Sequence, residues 1–130
     1  ATVDHEGESL RIVGLDDFLH GRPAVKLVER GVGEGATAAP RTLVLAHCPA
    51  LFDAVRRSVT EPFTAFGGHT HGGQIAPFGV AIVTPPGSAG YVKGWYDGGR
   101  GQRLYVSRGL GNSDIPFRIG SRPELALLTI

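Results

Sequence analysis

Apolar residues in this chain come in short runs, and the turns between the runs are rich in glycine and proline. Residues 10–15, Leu-Arg-Ile-Val-Gly-Leu, favour a strand that ends at Asp16 and Asp17. Residues 23–30 predict a brief helix with Pro23 in its first turn, where a missing N–H costs nothing. Residues 31–40, dense in Gly and Ala, read as a surface loop too short to divide domains. Residues 42–46 are continuously apolar, as in a buried strand, and they deliver His47 to its C-terminal end. Pro49 then opens a helix over 50–59, where Leu51, Ala54 and Val55 recur at helical spacing. Residues 63–66 form the next strand, stopped by Gly67 and Gly68 just before His69. Residues 80–83, 91–96, 103–107 and 124–130 read as further strands. The pattern predicts an α/β fold with a mixed sheet and helices on one face.

Composition narrows this picture only a little. A chain of 130 residues, 42% hydrophobic and 19% charged, fits one domain with room for a core. The apolar runs are strand-sized, and none approaches the length of a membrane span. A formal charge of +1 carries no broad preference for nucleic acid or an anionic bilayer, so phosphate recognition has to be local. The single cysteine, Cys48, cannot form an intrachain disulfide and leaves localisation undecided. The chain starts at Ala1, contains no methionine and lacks the basic and apolar regions of a signal peptide, so a preceding segment is expected upstream or on another chain.

Candidate chemistry lies in the histidines. Imidazole is the commonest neutral metal ligand, and His47, His69 and His71 all follow predicted strand ends, where loops share one rim of a sheet. The glycines flanking His69 and His71 permit tight turns and close approach of a metal and a phosphate. With only Thr70 between them, these two histidines would face opposite sides of a regular strand, so their convergence requires irregular backbone. His5 and His20 stand outside any metal-type spacing and read as ordinary residues. Asp16 and Asp17 read as a solvated turn. Arg108, Arg118 and Arg122 are equally readable as phosphate-binding or as structural hydrogen-bond donors.

The segments Ala46-His47-Cys48-Pro49 and Gly68-His69-Thr70-His71 resemble the last two signature blocks of calcineurin-like metallophosphoesterases, an isolated His and then Gly-His-x-His. Gly72-Gly73-Gln74-Ile75, the stretch from Tyr105 to Gly111, and Arg122-Pro123-Glu124-Leu125 are similar to the bacterial phosphodiesterase-like branch of that family. The resemblance runs from about Leu10 to Ile130 and implies that residues 1–130 are the C-terminal portion of a domain whose N-terminal half is absent from this chain. It implies a metal-dependent phosphodiesterase or phosphatase in which a metal-bound hydroxide attacks phosphorus. Two divalent transition ions, manganese, iron or zinc, would be held by His47 and His69 at the second position and by His71 at the first; Arg108 is the candidate for the substrate phosphate from its guanidinium chemistry alone. The fold implied is half of a two-sheet α/β sandwich.

The family's earlier blocks, Asp-x-His, Gly-Asp and Gly-Asn-His, do not occur in this sequence, and the stretch Gly111-Asn112-Ser113-Asp114 reads as a turn. A two-metal centre needs a carboxylate to bridge ions about 3.5–4 Å apart, so this chain alone is expected to be inactive. The missing half is expected in cis or in trans, and the uncovered sheet leaves homo-oligomerisation open. The competing reading is a non-catalytic or degenerate relative that binds a partner or serves as structure. A pair made of Cys48 and His47 is a lesser alternative, since adjacent residues in extended backbone diverge.

Overall fold

The computed structural model describes residues 1–6, 8–25 and 41–129. Most of the helix expected over 23–30, and the loop expected over 31–40, lie outside the described residues.

Six strands form one mixed sheet: β1 (Thr2–His5), β2 (Glu8–Gly14), β3 (Arg41–Leu45), β4 (Phe63–Gly67), β5 (Gly94–Gly99) and β6 (Gln102–Val106). Their order is β1-β2-β3-β4-β6-β5. The central four, β2, β3, β4 and β6, are parallel, and an antiparallel strand closes each edge. Parallel neighbours bring their C-terminal ends to one rim, so the loops after β3 and β4 emerge side by side.

Alternation along the strands decides which face is covered. Thr42 and Val44 of β3, Phe63 and Ala65 of β4, and Gln102, Leu104 and Val106 of β6 are buried. Helix α1 (Leu51–Ser58) covers this face with Phe52 and Val55, and Leu51 is buried at its start. Asp53 in its first turn and Arg56 and Arg57 in its last complement the helix dipole. Phe52 packs edge-on against Phe63 and Tyr91 at centroid distances of 5.8 and 5.7 Å. Gln102 is fully buried yet hydrogen-bonded, its Nε2 donating to Val59 O at 2.8 Å and Glu61 O at 3.2 Å, which ties the turn after α1 to the sheet.

The opposite face carries Ile12, Leu43, Leu45, Phe66, Tyr105 and Trp95 at neighbouring register positions. Leu45 is 43% and Trp95 49% exposed, so much of this apolar surface faces solvent. Near it runs the C-terminal segment, where Glu124 accepts a hydrogen bond from Tyr105 Oη and pairs with Arg108 Nε at 2.6 Å. Burial pushes the Glu124 carboxyl up, but the Tyr105 hydroxyl and the Arg108 guanidinium more than offset this and hold it below the usual range. The same contact, together with burial, raises the Tyr105 phenol.

A depressed carboxyl stabilises the fold above its unfolded pKa and loses that contribution as pH falls through the folded value. Glu124→Gln is therefore expected to cost about 1–2 kcal/mol at pH 7, toward the lower end for a charged hydrogen-bonded group because Arg108 is partly exposed. The gap to wild type should shrink below about pH 4, where glutamate protonates. Urea denaturation of both proteins across that range measures it.

Three predicted elements take another form. Residues 80–83 are not a strand: they follow a single 3-10 turn at Pro77–Gly79, with Val80 N donating back to Pro77 O at 3.2 Å and Ile82 N to Ile75 O at 3.1 Å. The strand expected from Tyr91 begins at Gly94, because the Val92 and Lys93 N–H groups donate to Tyr96 Oη. Residues 124–129 pair with no strand among the described residues, and Leu125 and Leu127 are exposed. No helix among the described residues is long and apolar enough to cross a membrane.

Candidate metal centre

His47 and His69 leave the C-terminal ends of the adjacent parallel strands β3 and β4. Backbone pairing continues past both ends, with Ala46 N donating to Phe66 O and Gly68 N to His47 O, each at 3.0 Å. The two rings therefore meet, His69 Nδ1 lying 3.0 Å from His47 Nε2 with the planes inclined at 67°.

The other nitrogen of His69, Nε2, is 2.8 Å from Pro86 O, a contact only a protonated ring nitrogen can satisfy. That fixes the tautomer and turns the Nδ1 lone pair toward His47. The Pro86 carbonyl is itself held in place, since Ala50 N donates to Gly87 O at 2.9 Å and Ser88 Oγ to Pro85 O at 2.6 Å. Carbonyl orientation of this kind is the usual support behind a metal-binding imidazole.

His71 is oriented separately. Its Nδ1 lies 3.1 Å from Gly111 O, which directs Nε2 away from that carbonyl. Arg118 also donates to Gly111 O, and its Nη1 donates to His71 O at 3.3 Å. Ser121 Oγ donates to the same His71 carbonyl at 2.7 Å. Sequence reasoning could not find Pro86 or Gly111, because a backbone carbonyl has no residue-type signature.

The loop that carries His69 and His71 is irregular. His69, His71 and Gln74 have φ of 67°, 52° and 42°, and Gly72 and Gly73 have 63° and 84°. Left-handed backbone costs a non-glycine residue about 1–2 kcal/mol and persists where surrounding contacts over-determine it. Here Thr70 supplies such contacts: it is buried, donates to Val92 O at 2.6 Å, and accepts from Gly72 N at 3.2 Å. A Cβ at Gly73 would collide with the Ala81 methyl and lie 3.0 Å from Ala81 Cα. Gly73→Ala is expected to cost about 2–3 kcal/mol through overpacking and an unfavourable φ, read as a lower urea midpoint with an unchanged slope.

His47 and His69 fit a metal by donor chemistry. The two imidazole nitrogens are 3.0 Å apart, somewhat less than the roughly 3.4 Å between tetrahedral donors about 2.1 Å from one ion, and an ion would replace the proton that joins His47 Nε2 to His69 Nδ1. His71 shares a cavity wall with His69. Among the described residues, however, no three His, Cys, Asp or Glu side chains group closely enough to hold an ion.

The remaining candidates have structural partners. Arg108 is engaged by Glu124. Asp16 accepts from Asp17 N and Arg22 N, and Asp17 from Leu19 N and His20 N. Those backbone donors, Arg22 N first for Asp16 and His20 N first for Asp17, hold both carboxyls below their usual range, as a turn requires. Cys48 is fully buried with Sγ 3.8 Å from Asp17 Oδ2, and burial followed by that carboxylate pushes its thiol up, which disfavours a nucleophilic thiolate.

Paired imidazoles at the C-terminal rim of parallel strands define a candidate metal site on an α/β protein. The chain is 34% identical over 127 residues to "Uncharacterized metallophosphoesterase YkuE" of Bacillus subtilis, a match covering 96% of this chain and 42% of that protein. It is 32% identical over 99 residues to a "Transmembrane protein with metallophosphoesterase domain" of Bos taurus, covering 75% of this chain and 21% of that protein. An "Uncharacterized metallophosphoesterase" of Helicobacter pylori is 33% identical over 89 residues, covering 68% of this chain and 23% of its own length. The chain belongs to the metallophosphoesterase family, and it spans less than half the length of these relatives. No protein-family model matches it, and no solved structure does.

Proposed function

We propose that this chain is the C-terminal portion of a metal-dependent phosphoester hydrolase of the phosphodiesterase or phosphatase type. The observation that carries the proposal is the 3.0 Å approach of His69 Nδ1 to His47 Nε2, with the opposite nitrogen of His69 fixed by Pro86 O. His47 and His69 would hold one divalent ion, and His71 would serve a second, the ions being manganese, iron or zinc. When bound, such a pair supplies Lewis-acid polarisation of phosphoryl oxygens and an activated water.

The chain's own part is to orient and bind. Pro86 O orients the His69 ring, and Gly111 O together with Arg118 Nη2, 3.1 and 3.3 Å from Nδ1, orients the His71 ring. Arg108, paired through Nε with Glu124, is proposed to meet the substrate phosphate through its remaining guanidinium nitrogens. The missing carboxylate, Asn and His ligands are assigned to an N-terminal half, in cis or in trans. Its sheet would cover the face bearing Leu45, Phe66 and Trp95 and complete a two-sheet sandwich. A second copy of this chain is the other candidate cover for that face.

The rival is a non-catalytic relative that keeps the fold as a binding or structural module. Reconstitution separates the two. The 130 residues alone should hydrolyse bis(4-nitrophenyl) phosphate at the background rate with added manganese. Joined to a half that supplies the missing ligands, they should hydrolyse it well above background. A folded, metal-loaded reconstituted protein with no such activity would establish the non-catalytic reading.

A further inference from the structure

Beside the histidines lies a cavity of about 620 Å³ lined by both His69 and His71, a size within the range of small-molecule sites. Its walls are mainly hydrocarbon: Ile75, Ile82, Val83, Pro85 and Ile115. Three of these keep large solvent exposure, Ile82 at 66%, Val83 at 72% and Ile115 at 42%. Apart from the histidines, Asp114 is the one charged side chain among the described residues that line it, and its charge repels anions.

The walls are built in place. Gln74, itself buried, donates from Nε2 to Ile115 O at 2.6 Å and accepts at Oε1 from both the N–H and the hydroxyl of Ser113 at 3.0 Å. On the other side, Ile82 N donates to Ile75 O at 3.1 Å. A preformed apolar wall gains affinity from each methylene it removes from water, without the cost of ordering a loop.

We infer that the cavity receives the hydrocarbon group of an amphiphilic phosphoester, whose phosphate sits at the histidines while its alkyl or acyl chain lies against Ile75, Ile82 and Ile115. This deepens the phosphoesterase reading and rests on it for the position of the phosphate. It sets the substrate class apart from nucleic acids and nucleoside polyphosphates, whose added negative charges would meet Asp114 and, among the described lining residues, no Lys or Arg.

The test uses the protein that unites this chain with its N-terminal half. Binding of ethyl phosphate and decyl phosphate, both below their micelle concentrations, is measured by titration calorimetry, and hydrolysis is compared for 4-nitrophenyl methyl and 4-nitrophenyl decyl phosphodiesters. Decyl phosphate should bind at least tenfold tighter, and the decyl diester should show the lower KM. Ile82→Asp and Ile115→Asp, at exposed positions that tolerate a polar group, should each bring the decyl-to-ethyl ratio close to one. Val80→Asp, equally exposed but outside the cavity, should keep it. Equal affinity for the two phosphates, or a ratio that survives both isoleucine variants, overturns the inference. If the ratio behaves as expected while neither diester is cleaved, the hydrolase reading fails and the hydrocarbon site stands.

Discussion

His69→Ala, made in a protein carrying the complete ligand set, is expected to lower phosphodiester hydrolysis by more than about 100-fold, since loss of mere supporting groups around a metal already costs about 10–100-fold. The ring has two fixed contacts, Nε2 on Pro86 O and Nδ1 toward His47, so alanine removes a donor and leaves its partner unopposed. His71→Ala should lose a comparable factor, because its ring is held by Gly111 O beside the same cavity. His20→Ala is the control: its side chain is 89% exposed on a surface turn. Thermal unfolding should show all three variants folded, and manganese titration should show weaker binding for His69→Ala. Wild-type rates for His71→Ala at saturating metal would remove that residue from the site.

The second large effect concerns stability. Phe52 is 3% exposed and joins α1 to both β4 and the loop before β5 through its contacts with Phe63 and Tyr91. Phe52→Ala should cost about 3–5 kcal/mol, the range for truncating a buried phenylalanine into a cavity. Such a loss is a large share of the roughly 5–15 kcal/mol that holds a domain together. Because α1 begins just after His47, its loosening should also release the Ala50 to Gly87 hydrogen bond and with it the Pro86 carbonyl. Urea denaturation measures the first effect, and faster amide exchange at Ala50 reports the second.

What could be read from the sequence follows from where the physical signal resides. Residues 42–46, 63–66 and 103–107 are legible as strands because each run is short and apolar on both faces, Val44, Ala65 and Leu104 on the covered face and Leu43, Phe66 and Tyr105 on the other, and helix α1 because its buried positions recur every turn. β1 was not anticipated: Thr-Val-Asp-His is short and polar, and its place depends on antiparallel pairing with β2. Residues 80–83 and 124–130 misled because β-branched and leucine-rich runs announce burial without naming what buries them. Ile82 and Val83 border the cavity, and Leu125 and Leu127 face outward. At the candidate site, the histidine spacing was visible, but the groups that aim the rings were not. Gln74 reaches Ile115, 41 residues away, and no local pattern announces such a contact.

The hydrogen bonds that join the His69–Gln74 turn to residues 111–121 also bear on how this protein can be recombined with its relatives. Gly111 O and Ser121 Oγ engage His71, while Gln74 clasps Ser113 and Ile115, so two stretches distant in the chain behave as one inherited cassette. A chimaera with its crossover between them would combine a histidine turn from one parent with an orienting loop fitted to another. Crossovers placed before β4 and after Ser121 would keep the pair intact and let metal affinity and the shape of the apolar cavity move together.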